Sequence, residues 1–394
     1  MQHDYAFSLP QPDAVSAAQS ERCADYVRAR IRDAGGSISF AEFMHYALYA
    51  PGLGYYSAGS RKFGDDGDFV TAPEVSPLFG RVIARQCAGV LRDVPDATLL
   101  EFGAGTGRLA LEVLRTLEEH DVLPAEYRIM EVSADLRDRQ QRLLSTELPG
   151  LVDRVIWLDR MPETHRGVII ANEVLDALPV ERFMRRGSGV FQLRVGEEAG
   201  EFVFVDEPAP DVLATAVESI ESDIGKRLPD NYVSEVSLAS PAWVRDVAQM
   251  LEHGMILLFD YGVSRREYYA PDRNEGWLRC HFRHRAHSDP LILTGIQDLT
   301  AWVDFSAIAE AAVSSGLDVL GYVSQAQFLL AGGLETDLQD FARMPLESQL
   351  QTAAQIKMLT LPGEMGENIK CIGLARGNIP GPAAFASADR THTL

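Results

Sequence analysis

Thr98-Leu99-Leu100-Glu101-Phe102-Gly103-Ala104-Gly105-Thr106-Gly107-Arg108 is the stretch that decides the fold. A short apolar run enters three alternating glycines, and an amphipathic stretch from Leu109 to Leu117 leaves them. That order reads as a strand, a tight turn and a helix. Glycines let the backbone take positive φ and let a ligand approach where a Cβ would stand in the way. The helix start offers N–H groups that have no partner within the helix. A dinucleotide site needs GxGxxG, with the pyrophosphate on the helix N-terminus. Here Arg108 occupies the place of the last glycine of that pattern, and Gly107 precedes it.

Working outward, short apolar runs alternate with amphipathic ones. Strands are expected at Thr98–Phe102, Tyr127–Met130, Val155–Leu158 and Val168–Ala171, and a helix over Leu136–Leu144 behind the cap Ser133. This rhythm predicts an α/β fold, a doubly wound parallel sheet with helices on both faces. Glu131 ends the second of these strands, where a carboxylate can accept both hydroxyls of a ribose. Asp159 follows the third strand. It is placed either to meet an adenine amine or to cap a helix.

Asn172-Glu173-Val174-Leu175-Asp176-Ala177-Leu178-Pro179 follows the fourth strand. Ligands of doubly wound sheets bind at the carboxyl ends of the strands, beside the switch point. Asn172, Glu173 and Asp176 are therefore the candidate catalytic residues. Carboxylates there suit an amine or guanidinium acceptor, which they orient while its proton is removed. The plainer alternative has Asn172 and Asp176 capping a following helix.

Upstream, a first helix carries Ala24, Val27 and Ile31 on one face, and Ser39 to Glu42 form a capping box for a second. Residues 52–73 read as a long lid-like loop, and Ser76-Pro77 opens another helix. Residues 181–206 alternate as an antiparallel β-insertion, and 207–250 read as mostly helical. Strands resume at Met255–Phe259, Val319–Val323 and Ile369–Leu374. The tail from Asn378 is expected to fray.

The chain has 394 residues, with 36 Lys and Arg against 57 Asp and Glu, a formal charge of −21. That charge repels phosphate backbones, so a general nucleic-acid binder is disfavoured. Cys23, Cys87, Cys280 and Cys371 are widely spaced, which argues against a zinc ribbon or a disulfide scaffold and leaves no metal site expected. No run is apolar enough for membrane insertion, and the start has no signal pattern. The expectation is a cytoplasmic protein. Arg279 to His287 interleaves arginines with His281, His284 and His287. It reads as a basic patch, with its arginines paired to the protein's own acids.

The spacing from Glu101 to Gly107 resembles the first motif of class I S-adenosylmethionine (SAM) methyltransferases. More specifically, Gly52-Leu53-Gly54-Tyr55-Tyr56, Gly67 to Ser76, Asn172-Glu173, Asp176 to Pro179, Asp260-Tyr261-Gly262, Asp298 to Phe305 and Leu361 to Gly366 together resemble the MidA family of SAM-dependent methyltransferases. The resemblance runs from about Ser39 to Arg376. It implies a class I Rossmann-like core with an N-terminal helical lid and a β-rich insertion. The expected division is 1–75 (helices and lid), 76–180 (first part of the core), 181–250 (insertion, a substrate or dimer surface), 251–377 (second part of the core) and 378–394 (flexible tail). By matched position, Gly103, Gly105, Gly107 and Glu131 would bind SAM, Glu101 would orient bound groups, and Thr71, Pro73 and Glu74 would lie over the cofactor. The family includes a mitochondrial assembly factor that methylates protein arginine. The resemblance thus implies an arginine N-methyltransferase acting on a protein, with a respiratory complex subunit as one candidate substrate. A homodimer is one candidate assembly, with the β-insertion as a candidate surface for it. A small-molecule methyltransferase and a non-enzymatic SAM-binding assembly factor are the alternatives.

Overall fold

The computed structural model describes residues 9–57 and 70–394. Gly67, Asp68 and Phe69 of the expected lid lie outside them. In chain order the elements begin with α1 (Ala14–Asp33), β1 (Ser37–Ile38), α2 (Phe40–Tyr49), α3 (Ala72–Val75) and α4 (Pro77–Asp93). Next come β2 (Thr98–Phe102), α5 (Arg108–Glu119), β3 (Tyr127–Met130), α6 (Ala134–Glu147), β4 (Val155–Leu158) and β5 (His165–Asn172). An antiparallel run follows: β6 (Glu181–Arg186), β7 (Gly189–Glu198) and β8 (Glu201–Pro208), then α7 (Asp211–Ile224), β9 (Tyr232–Val236) and α8 (Ala239–Met250). The chain continues through β10 (Leu251–Val263), α9 (Arg265–Tyr268), β11 (Leu278–Phe282), β12 (Arg285–His287), β13 (Asp298–Ala301), β14 (Val303–Asp304) and α10 (Phe305–Ser314). It ends with β15 (Asp318–Ser324), α11 (Gln325–Ala331), α12 (Leu346–Thr360), α13 (Met365–Asn368) and β16 (Ile369–Arg376).

These elements form two compact units. One joins Met1–Val70, Pro179–Val236 and Asn274–Ala301, and the other joins Thr71–Leu178, Ser237–Arg273 and Trp302–Leu394. The second holds an eight-stranded sheet in the order β15-β16-β10-β5-β2-β3-β4, with β14 beside β10. Strands β4, β3, β2, β5 and β10 run parallel, β16 is antiparallel to β10, and β15 is antiparallel to β16. The chain leaves β2 toward β3 and β4, then returns to the other side of β2 as β5. That reversal puts the switch point at the carboxyl ends of β2 and β5. Successive residues of β10 feed opposite cores: Met255, Leu257 and Phe259 pack on one face, Ile256 and Leu258 on the other. This alternation is why the strands read as continuous apolar runs.

In the first unit, β1, β7, β6 and β9 form an antiparallel sheet, with β8 on β7, and β12-β11-β13 form a second. Helices α1 and α2 pack on these strands through Val27, Ile31, Phe40, Phe43 and Val195. The capping box is present: Ser39 Oγ accepts from Glu42 N and Glu42 Oε2 accepts from Ser39 N. Segment 279–287 is a hairpin turning at Arg283 and His284, both at positive φ, and Arg283 pairs with Asp13 at 2.5 Å.

Residues 207–250 are mostly helical as expected, in α7 and α8, and the strand Tyr232–Val236 between them pairs with β6. One expectation fails. The tail does not fray: Ala384 and Phe385 are buried, and the Phe385 ring lies 5.6 Å from that of Phe328. Gly321 and Gly373 make this possible, since a Cβ on either would come within 2.6 Å of Phe385. Asp389 then closes the tail by accepting from Tyr322 N at 2.8 Å.

Candidate active site

Strand β2 delivers Gly103, Gly105 and Gly107 to the switch point, with φ of 64°, 53° and 89°. Gly107 ends the turn as the N-cap of α5, and its missing Cβ would stand 3.2 Å from Gln140 Cγ. A Cβ on Gly103 would stand 3.0 Å from Val174 Cγ2. The glycine loop and the turn after β5 are therefore in direct contact. Any larger residue at Gly103 or Gly107 meets both strain and crowding.

Beside the loop, Glu131 is half-buried. Its Oε1 accepts from Ser133 N at 2.9 Å and its Oε2 from Gln140 Nε2 at 3.1 Å. Gln140, fully buried on α6, also donates to Gly105 O at 2.8 Å and accepts from Trp157 Nε1 at 2.9 Å. One amide thus ties the glycine loop, the acid after β3 and strand β4 together. Its signal in the sequence is a polar residue between Leu136 and Leu144, on the helix row that those leucines bury. Sequence reasoning passed over it. Ser133 precedes α6 but makes no side-chain cap; its N–H goes to Glu131 instead.

Glu101 points into the protein rather than out of the strand end. It is buried, and Tyr127 Oη donates to its Oε2 at 2.6 Å. Burial raises its carboxyl to about 7, against the Tyr127 hydrogen bond, and the nearby Glu131 charge adds to the rise. Glu74 on α3 accepts from Arg108 Nε at 3.1 Å and from the Thr106 hydroxyl. Thr71 sits at the N-cap of α3 without a side-chain cap bond, and Pro73 lies in its first turn. Asp159 caps no helix. Its side chain is 86% exposed and ion-paired with Arg137 at 2.7 Å.

The turn after β5 is built on charge. Asp260, at the end of β10, is buried, and its Oδ2 accepts from Val174 N, Leu175 N and Asp176 N at 3.1, 2.8 and 3.3 Å. Its Oδ1 accepts from Tyr261 N at 2.9 Å. No helix follows, so Asn172 and Asp176 are not caps. Glu173 takes φ of 53°, an uncommon backbone for a residue with a Cβ, held by its N–H to Phe259 O at 2.8 Å. Asn172 Nδ2 donates to Glu173 Oε1 at 3.1 Å, while Asn172 Oδ1 is buried with no partner among the described residues. Burial raises Asp176 to about 8, with the Glu173 charge adding to it. Burial also raises Asp260 well above the carboxylate range, helped by the charges of Asp176 and Glu173. Near neutrality the pair therefore carries less than its full charge.

The arrangement fits a nucleoside bearing a cationic group. The loop offers open backbone at positive φ, Glu131 can receive ribose hydroxyls, and an unpartnered acceptor at Asn172 and three carboxyls stand next to the loop. Residues 82–323 match the profile of a family of S-adenosyl-L-methionine-dependent methyltransferases. The chain belongs to that family. SAM is therefore its cofactor and methyl transfer its reaction, as the resemblance to the MidA methyltransferases implied.

Curated relatives of this methyltransferase are named mitochondrial protein arginine methyltransferase NDUFAF7 or its homolog. The Drosophila melanogaster protein is 29% identical and covers 93% of this chain and 88% of its own length. The Danio rerio protein is 28% identical over 86% of this chain and 83% of its own length. These mitochondrial relatives overturn the expectation of a cytoplasmic protein. A crystal structure of a candidate methyl transferase from Burkholderia thailandensis, bound to S-adenosyl-homocysteine, is 44% identical with a TM-score of 0.92. It covers 98% of this chain and 100% of that one. Among the described residues no helix is long and apolar enough to cross a membrane, and no group of three or more His, Cys, Asp or Glu is placed to hold a metal.

Proposed function

We propose that this methyltransferase modifies a guanidinium nitrogen of arginine on a protein substrate. The observation that carries this reading is the acidic turn after β5, where Glu173, Asp176 and Asp260 gather beside the glycine loop. The names of the curated relatives support the same acceptor. Glu131 receives the ribose hydroxyls, the glycines leave room for the rest of the cofactor, and Glu101 and Gln140 hold the loops in place. SAM supplies an electrophilic methyl group on a sulfonium. Glu173 and Asp176 align the planar guanidinium in line with that methyl, and Asn172 Oδ1 accepts one of its N–H groups. As the nitrogen becomes methylated, one of its protons passes to a carboxylate of the turn. A carboxyl held near neutrality suits that task, because it takes and returns a proton at working pH. Asp260 touches neither partner and acts by holding the turn. By the family resemblance, a respiratory complex subunit is the first substrate to test.

The test supplies SAM labelled in its methyl group to total protein from cells lacking this enzyme, followed by acid hydrolysis and amino-acid analysis. Label in methylated arginine, lost with Glu173→Gln, is expected. Label confined to lysine or to small molecules, or no label in protein, overturns the proposal.

A further inference from the structure

We propose that α12 is a self-association surface, on which a second copy of this chain docks antiparallel. The helix has 15 residues, and Leu359 is its one buried residue. Its inner side is anchored: Gln355 Oε1 accepts from Ser76 Oγ at 2.9 Å, and Ile356 packs against the core. Its outer side is apolar and open. Leu346 is 70% exposed, Leu350 64%, Leu361 47% and Met358 39%, with Ala354 also exposed. At 3.6 residues per turn, Leu346, Leu350 and Ala354 fall within about 80° of one another, a single stripe flanked by Met358, and Leu361 caps the end of the helix. A stripe of this kind marks an interaction site.

The occupant is named by the helix's own pattern. Its two charged residues, Glu347 and Lys357, are both exposed, and neither has an ion pair among the described residues. A two-fold axis level with Thr352 sets Glu347 of one copy opposite Lys357 of the other, twice. The same axis sets Leu346 opposite Met358, and Leu350 opposite Ala354, so that a large side chain meets a small one. Charge and size are thus self-complementary in a single register, as a symmetric contact between identical surfaces requires. Two chains of charge −21 repel, and α12 is a surface where one positive and one negative charge balance. One helix pair makes a small interface, so association in the micromolar range is expected.

Sedimentation of the purified full chain from about 1 to 100 micromolar reads this directly. The wild-type protein is expected to dimerise reversibly. Leu350→Glu should raise the dissociation constant by about tenfold or more, with circular dichroism and SAM binding unchanged. E347K alone and K357E alone should each weaken the dimer, because like charges then face each other at both contacts. An equimolar mixture of the two should restore it, because opposite charges again face each other. A protein that stays monomeric at the highest concentration overturns the proposal. So does a dimer indifferent to Leu350→Glu, or a mixture no stronger than either variant alone.

Discussion

The two loops that meet at the carboxyl ends of β2 and β5 are made of opposite materials. The glycine loop is bare backbone, braced from behind by a neutral amide, Gln140. The turn after β5 is carboxylate on carboxylate, held by four N–H groups converging on Asp260. A loop that makes room can tolerate change in its supports, because backbone geometry survives the loss of one brace. A turn that concentrates like charge cannot, because each acid is kept in place against repulsion and burial. The largest effect is therefore expected at Asp260. Replacing it with Ala leaves buried N–H groups without an acceptor, at about 1–3 kcal/mol for each one stranded. Thermal unfolding should shift down by many degrees. Asp260→Asn, which keeps one acceptor oxygen, should recover much of the loss, and a melting temperature unchanged in both variants would contradict the charge-built turn.

Glu173→Gln comes next and separates the two loops by function. Removing a group that aligns the acceptor costs about 10²-fold in rate. The cofactor loop is untouched by it, so the dissociation constant of S-adenosyl-homocysteine should stay within about threefold, while kcat falls. Loss of cofactor affinity without loss of kcat would exchange the roles of the two loops.

The glycine loop, in its turn, is tested at its brace. Gln140→Leu keeps the shape of the side chain and removes its three hydrogen bonds, with a cost of about 1–3 kcal/mol. About tenfold weaker binding of S-adenosyl-homocysteine is expected, with kcat at saturation little changed. Unaltered affinity would show that the loop stands on its glycines alone.

The same contrast governs how much could be read from the sequence. Strands β2, β3 and β4 begin and end where the apolar runs do, because each run is short and bounded by turn residues, although only β2 is buried throughout. The glycines and Glu131 were legible because ligand and turn both demand residue types at fixed spacing. Gln140 was not, because its partners lie on three separate elements and only the fold brings them together. The resemblance gives Glu101 a role toward bound groups, yet Tyr127 takes its carboxylate, and strand period alone does not reveal such a pairing across β2 and β3. Strand β9 was hidden inside helical propensity on both sides, and its place was decided by pairing with β6. The packed tail depended on two glycines in strands β15 and β16, which make a notch that only Phe385 explains.

The smallest effect expected is also the one that weighs both loops at once. Glu101 rises from 4.5 to about 7, and Asp176 from 3.8 to about 8, so between those values the folded chain holds protons that the unfolded chain has released. Stability then falls as pH rises, because the unfolded state binds fewer protons. His165, buried and lowered to about 4, acts in the opposite sense, but only below its ordinary value of 6.5. The buried thiols, raised by burial from 9.0, enter only in more alkaline solution. From about pH 6.5 to 7.5 the carboxyls act without either. The melting temperature of the cofactor-free protein should drop by a few degrees across that window, and Asp176→Asn, which cannot ionise, should flatten the slope more than Glu101→Gln. A flat profile in the wild type would mean that the acids of the turn are ionised already, and that the turn, like the glycine loop, is held by its backbone rather than strained by its charge.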